Sequence, residues 1–161
     1  MHLEKNRVPN IHVEIDCTLD YIADWSVLGD WIGKQIQPEW KLPWGMMPHI
    51  TGLPDYVSFE HKKALTAAAA NYGCPMLWAE GASPEPPEYQ PEGKLVFTEV
   101  DLMQRYADLA PTGQVDLIVI GCPQASVGEA RTTAAAVRAR MELGQRIPEQ
   151  ILWVFTSGHN H

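Results

Sequence analysis

Residues 115–126 read VDLIVIGCPQAS. Val115, Leu117, Ile118, Val119 and Ile120 form an apolar run closed by Gly121, the pattern of a strand buried in the middle of a parallel sheet. Gly121-Cys122-Pro123 then predicts a tight turn, stiffened where Pro123 lacks a backbone N–H. Ser126 and Glu129 stand at capping-box spacing, so a helix is expected to begin at Ser126, run to Leu143 and close at Gly144. A loop that leaves the carboxyl end of a strand and enters a helix is where α/β proteins place their ligands. Cys122 lies in that loop, and the positive end of the following helix favours its thiolate, the form that binds metal. The alternative reading is a small, buried apolar residue at a strand end.

The flanking segments extend the pattern. In residues 11–17, IHVEIDC, the apolar side chains Ile11, Val13 and Ile15 alternate onto one face, which predicts a strand with His12 on its other face as a surface residue. Residues 24–36 predict a helix capped by Asp24, with Trp25, Leu28, Trp31, Ile32 and Ile36 at helical spacing. Pro38, Pro43, Gly45 and Pro48 exclude a regular helix over 38–48; with Trp40, Trp44, Met46 and Met47 that loop is either a packed surface loop or the candidate apolar patch for a partner. Residues 48–53 predict a short strand with His49 at its start. Residues 58–72 predict a helix ending at Gly73, with His61, Lys62 and Lys63 on its solvated side. A buried strand is expected over 74–79, followed by the proline-rich loop 81–87. A strand over 95–100 leads to a helix over 101–109 with Asp101 and Gln104 as its cap pair, and residues 151–156 predict the last strand. Strands alternating with helices give an α/β layer structure with a mainly parallel sheet and flanking helices. No linker interrupts the alternation, so residues 1–161 are expected to form a single domain.

The 161 residues are enough for one domain with a sizeable core. A net charge of −8 argues against a nucleic-acid partner, because phosphate contacts need a basic face. No apolar run reaches the roughly 18 residues of a membrane span, and the N-terminal residues lack the apolar core of a signal peptide, so no membrane association is expected. Three cysteines, Cys17, Cys74 and Cys122, suit reduced thiols in a cytoplasmic protein better than a disulfide framework. The chain has no GxxxxGK[ST] or GxGxxG phosphate loop, no CxxC or HExxH metal motif and no GxSxG elbow. His159 and His161 at the end of the sequence offer at most a loose metal contact.

Several segments, in order, resemble the aconitase X family. Residues 115–126 look like the family's GCPH-type motif. Residues 13–33, with Asp24-Trp25 and Leu28-Gly29, are similar to its strand and "DW..LG..iG" helix. Residues 48–54 resemble its strand ending in "GLP", residues 61–73 its "lKaLGAA.AssG" helix, residues 81–86 (GASPEP) its "GvTPEA" loop, and residues 154–157 its strand ending in "TSR". The resemblance covers residues 8–157. The family comprises hydro-lyases, among them cis-3-hydroxy-L-proline dehydratase and the large subunit of archaeal phosphomevalonate dehydratase.

What the resemblance implies is part of an iron–sulfur dehydratase acting on a small hydroxy acid such as cis-3-hydroxy-L-proline or phosphomevalonate. It makes Cys122 a cluster ligand, Glu85 and Ser157 candidate catalytic residues, and Ser83, Gln124, Ser126 and Thr156 candidate substrate contacts. Gln124 stands where the family has His, and Gly158 where it has Arg. The family's N-terminal "CTCTPY"-type segment and its C-terminal cysteine have no counterpart, and Cys17 and Cys74 read as structural. One cysteine cannot hold a cluster in the usual way. The chain is therefore expected to be a central piece of an aconitase X protein that needs a partner polypeptide to complete its site. The alternative is a non-catalytic α/β binding or interaction domain that kept the fold and lost the cluster.

Overall fold

The computed structural model describes residues 7–36, 46–74, 76–145 and 151–156, except the side chains of Cys122 and Pro123. The chain divides into two compact units, Met1–Ala110 and Pro111–His161. The Trp40 and Trp44 part of the expected partner patch lies outside the described residues. Met47 at its end is buried, and Met46 packs partly against the core.

The first unit holds β1 (Ile11–Asp16), α1 (Ile22–Gln35), β2 (Pro48–Thr51), α2 (Phe59–Ala70), β3 (Trp78–Ala79), β4 (Gly93–Thr98) and α3 (Glu99–Leu109). Its four strands form a parallel sheet in the order β3-β2-β1-β4. Because side chains alternate along a strand, Ile11, Val13 and Ile15 all enter one face, and all three are buried. Ile50 and Phe97 join them from the neighbouring strands. Trp25, Leu28 and Ile32 of α1, Leu65 and Ala69 of α2 and Leu102 of α3 complete this core. Trp31 packs edge-on against Phe97 with ring centroids 5.0 Å apart. Each such side chain contributes about 1.5–3 kcal/mol by leaving water.

The closest approach in this core is between α1 and α2. Gly29 lies directly over the backbone carbonyl of Leu65, where a Cβ would overlap it. One turn on, a Cβ at Gly33 would stand 2.6 Å from the Tyr72 ring. The two glycines of the "LG..iG" pattern are thus the places where the second helix rests on the first.

Local differences from the sequence reading have physical causes. Asp24 does not start α1 but sits within its first turn. It is buried there, accepts from the Tyr21 N–H at 2.8 Å and takes the Tyr106 hydroxyl at 2.6 Å. The strand expected over 74–79 narrows to Trp78–Ala79. β4 ends at Thr98, so α3 begins at Glu99. Its capping pair is Thr98 and Asp101, while Gln104 donates to Asp108 at 2.9 Å. His61 is not on a solvated face: it stacks on Trp25 at 4.7 Å and 3° and accepts from the Ser58 N–H.

The second unit contains β5 (Ile118–Ala125), α4 (Val127–Glu142) and β6 (Leu152–Thr156), with β5 and β6 parallel. The Ser126–Glu129 box forms as read: Ser126 Oγ accepts from the Glu129 N–H at 3.1 Å, and Glu129 accepts from the Ser126 N–H at 2.7 Å. The expected burial of residues 115–120 does not occur. The strand starts at Ile118, and Val115, Leu117, Ile118 and Val119 are exposed. A central strand is buried by neighbours on both edges and layers on both faces. Among the described residues β5 has only β6 beside it, and α4 buries none of its side chains.

Two substitutions test this account. Gly29→Ala is expected to lower the unfolding free energy by about 1–3 kcal/mol through overpacking, seen as an earlier urea midpoint with an unchanged slope. An unaltered midpoint would show that α1 and α2 separate at no cost. Arg105 is buried in α3 and ion-pairs with Asp30 of α1, which also accepts the Tyr72 hydroxyl at 2.8 Å. Arg105→Ala strands that carboxylate and is expected to cost about 3 kcal/mol by the same titration.

Candidate functional site

The carboxyl end of the β5–β6 pair gathers several of the sequence-predicted residues. Ile120 pairs with Val154 and Ala125 pairs with Thr156, so residues 121–124 stand opposite Phe155 alone. Gly-Cys-Pro-Gln is thus an irregular extension of the strand that leaves the ladder and returns to it, rather than a turn ending the strand. Such bulges re-aim a strand's side chains and recur beside active sites. Gly121 permits the departure: its φ is 115°, and a Cβ there would run into the Phe155 carbonyl.

Where the ladder resumes, the Thr156 hydroxyl donates to the Ala125 carbonyl at 3.3 Å. Gln124 is exposed, and the Ser126 hydroxyl caps α4. Gln124, Ser126 and Thr156 are therefore brought to one strand end, beside the backbone of Cys122. The Cys122 side chain and all of Ser157 lie outside the described residues.

Ser83 and Glu85 belong to the first unit, in the loop after β3. The Ser83 hydroxyl closes its own turn, accepting from the Ala79 N–H at 2.9 Å and lying 3.0 Å from the Ala79 carbonyl. Glu85 is exposed, and its charge reaches His49. His49 and His12 are register partners on β2 and β1, on the sheet face opposite the apolar core. Their rings are 6.1 Å apart; the His12 Nε2 pairs with the Thr51 hydroxyl and the His49 Nδ1 with the Tyr89 hydroxyl, both at 2.8 Å.

Partial burial pushes the His49 pKa down and the charge of His12 adds to this, while Glu80 and Glu85 oppose it. An imidazole kept neutral near pH 7, with carboxylates within electrostatic reach, is suited to accepting a proton. Sequence reasoning took each histidine singly. The signal that unites them is their position, each directly before a core residue (Val13 and Ile50) on adjacent strands.

The remaining cysteines do not make a metal centre. Burial raises Cys17 to about 11, helped by the charges of Glu99, Asp24, Asp16 and Asp101. Burial likewise raises Cys74 to about 11, and its thiol donates to the Met76 carbonyl at 3.5 Å. Both are thus thiols at neutral pH, whereas cluster ligands are thiolates. Among the described residues no group of three or more His, Cys, Asp or Glu side chains could hold a metal ion. These residues do not fit an iron–sulfur cluster by themselves.

Comparison with known proteins places these elements. The phosphomevalonate dehydratase large subunit of Methanosarcina mazei is 30% identical over 98% of the chain. That of Methanothermobacter thermautotrophicus is 30% identical over 97%. The crystal structure of Thermococcus kodakaraensis aconitase X in its holo-form matches 99% of the chain with a TM-score of 0.79 at 27% identity. The chain is thus similar to aconitase X proteins along nearly its whole length. It spans 40% and 37% of the two curated relatives and 39% of the solved chain. No protein-family model matches it. No helix among the described residues is long and apolar enough to cross a membrane.

The His49 environment gives a titration test. A histidine with a lowered folded pKa binds fewer protons than the unfolded chain does, so stability is complete above its unfolded pKa of about 6.5 and falls as pH drops below it. The His49 ring is expected to titrate below that value by NMR. His49→Asn is expected to flatten the decline in stability between neutral and mildly acidic pH. A His49 midpoint at or above the unfolded value would refute the assignment.

Proposed function

We propose that this chain forms part of an aconitase X-type hydro-lyase that removes water from a small hydroxy acid such as phosphomevalonate or cis-3-hydroxy-L-proline. In this reading its site is incomplete alone, and further polypeptide of the same family supplies the missing part. The observation that carries the proposal is the looped-out Gly-Cys-Pro-Gln segment at the carboxyl end of β5, within a chain that matches aconitase X from end to end.

In this role Cys122 supplies one thiolate to an iron–sulfur cluster, and the other ligands come from the completing polypeptide. Gln124, Ser126, Thr156 and Ser83 offer hydroxyl, amide and backbone groups to substrate oxygens, while Glu85 and Ser157 handle the proton that elimination displaces. The proximity of Gln124, Ser126 and Thr156 supports the assignment of those three, and the influence of the Glu85 charge on His49 supports that of Glu85. The relatives are named as large subunits, which fits a two-part assembly. The other reading, a non-catalytic binding domain, draws on Gln124 and on the protonated state of Cys17 and Cys74.

Anaerobic reconstitution with iron and sulfide separates the two. The chain alone is expected to give no visible cluster absorption. A chimera in which it replaces the matched part of the Methanosarcina mazei large subunit is expected to give a band that Cys122→Ser removes, with the circular dichroism spectrum unchanged. A band that survives Cys122→Ser would end the role assigned to this thiol. A folded chimera with no band would leave the non-catalytic reading.

A further inference from the structure

Among the described residues, the second unit has the elements of a layered sheet without the layers. Register places Val119 opposite Trp153, so Val119, Trp153 and Phe155 share one face of the β5–β6 pair, and Ile118, Ile120, Leu152 and Val154 share the other. Both faces are apolar. Val119, Trp153 and Phe155 are 54%, 51% and 52% exposed, and Ile118 and Val154 are exposed on the opposite side. The Trp153 and Phe155 rings touch only edge to face, at 6.3 Å. α4 runs for 16 residues with none buried, and Val127, Met141 and Leu143 at its ends are exposed. A pair of parallel strands with two bare apolar faces is not a stable end state, because parallel sheets are found covered on both sides and two-stranded sheets are marginal in water. The first unit shows the contrast: its one apolar sheet face is closed by three helices.

We propose that the β5–β6–α4 surface is a docking face for polypeptide equivalent to the unmatched portion of an aconitase X large subunit, about three-fifths of its length. That polypeptide adds strands to the β5–β6 ladder and lays apolar side chains on the Val119–Trp153–Phe155 face. The occupant follows from the length comparison. In the solved relative the same elements occur at a TM-score of 0.79 inside a chain of which they are 39%, so the additional polypeptide is continuous with them there. A second copy covering the same face would act in proportion to protein concentration, which the test reads separately. The inference rests on the proposed function in taking the chain as part of such a protein, but it needs neither cluster nor activity, so the two fail separately.

Hydrogen exchange on the full chain, alone and within the Methanosarcina mazei chimera, tests it. In the isolated chain the amides of Ile118–Ala125 and Leu152–Thr156 are expected to exchange rapidly at every protein concentration, while those of β1 are protected. In the chimera they are expected to slow by about tenfold or more. Protection already present at low concentration would mean that the chain covers this face itself, and protection that grows with concentration would mean that a second copy does. Either result overturns the proposal, as does a chimera in which β1 is protected and these strands are not. Val119→Lys and Phe155→Lys give an independent reading on the isolated chain, where thermal unfolding is expected to be unchanged. A clear loss of stability in either variant would show the face to be covered already and would also overturn the proposal.

Discussion

The close seating of α2 on α1 at Gly29 is the contact on which the first unit depends. With no side chain there, the Leu65 carbonyl can lie against α1, and Leu65 and Ala69 reach the same core as Leu28 and Ile32. That approach also brings Tyr72 to Asp30, and Asp30 to Arg105 of α3. A buried guanidinium is tolerable only when it finds its partner, so the Arg105–Asp30 pair ties α3 to α1. Asp24, nearly two turns earlier on α1, ties α3 in the same way by taking the Tyr106 hydroxyl. Three helices are thus tied to one another on one face of the sheet. The opposite face is left to His12, His49, Thr51 and the Glu14–Lys94 ion pair.

The parts of this fold legible in the sequence were those set by local periodicity. Alternation in residues 11–16 placed the β1 core face, helical spacing placed Trp25, Leu28 and Ile32, and the Ser126–Glu129 spacing located the start of α4. Element ends were less legible where two signals competed. The apolar run at 74–79 contributes only two residues to the ladder, although Cys74 is buried and Leu77 packs against the core. There burial is achieved by packing rather than by strand pairing. Residues 115–120 failed for a different reason. An apolar run reports that a segment needs to be covered, and only the presence of neighbours decides whether it is.

The site divides in the same way. Motif order pointed to the aconitase X likeness and to Gln124, Ser126 and Thr156 as candidates, and the β5–β6 register places these three near one strand end. It could not anticipate that Gly-Cys-Pro-Gln would bulge out opposite a single residue, because that depends on where β6 resumes pairing. Nor could it join His12 to His49, whose proximity comes from a register between strands separated by a helix. Residues distant in sequence meet through the sheet, and only the ladder reveals which ones.

The two units differ in how far their own residues satisfy their apolar surface. In the first, apolar surface is largely satisfied, so His49 stands on a strand whose neighbours already form a core. In the second, the strand end that carries Cys122 is attached to elements whose apolar faces are bare. The geometry of that strand end is therefore coupled to whether Val119, Trp153 and Phe155 are covered. Were Cys122 a metal ligand, as proposed above, its affinity for a cluster would be linked to the covering of those faces, as in sites where metal binding and folding are one equilibrium.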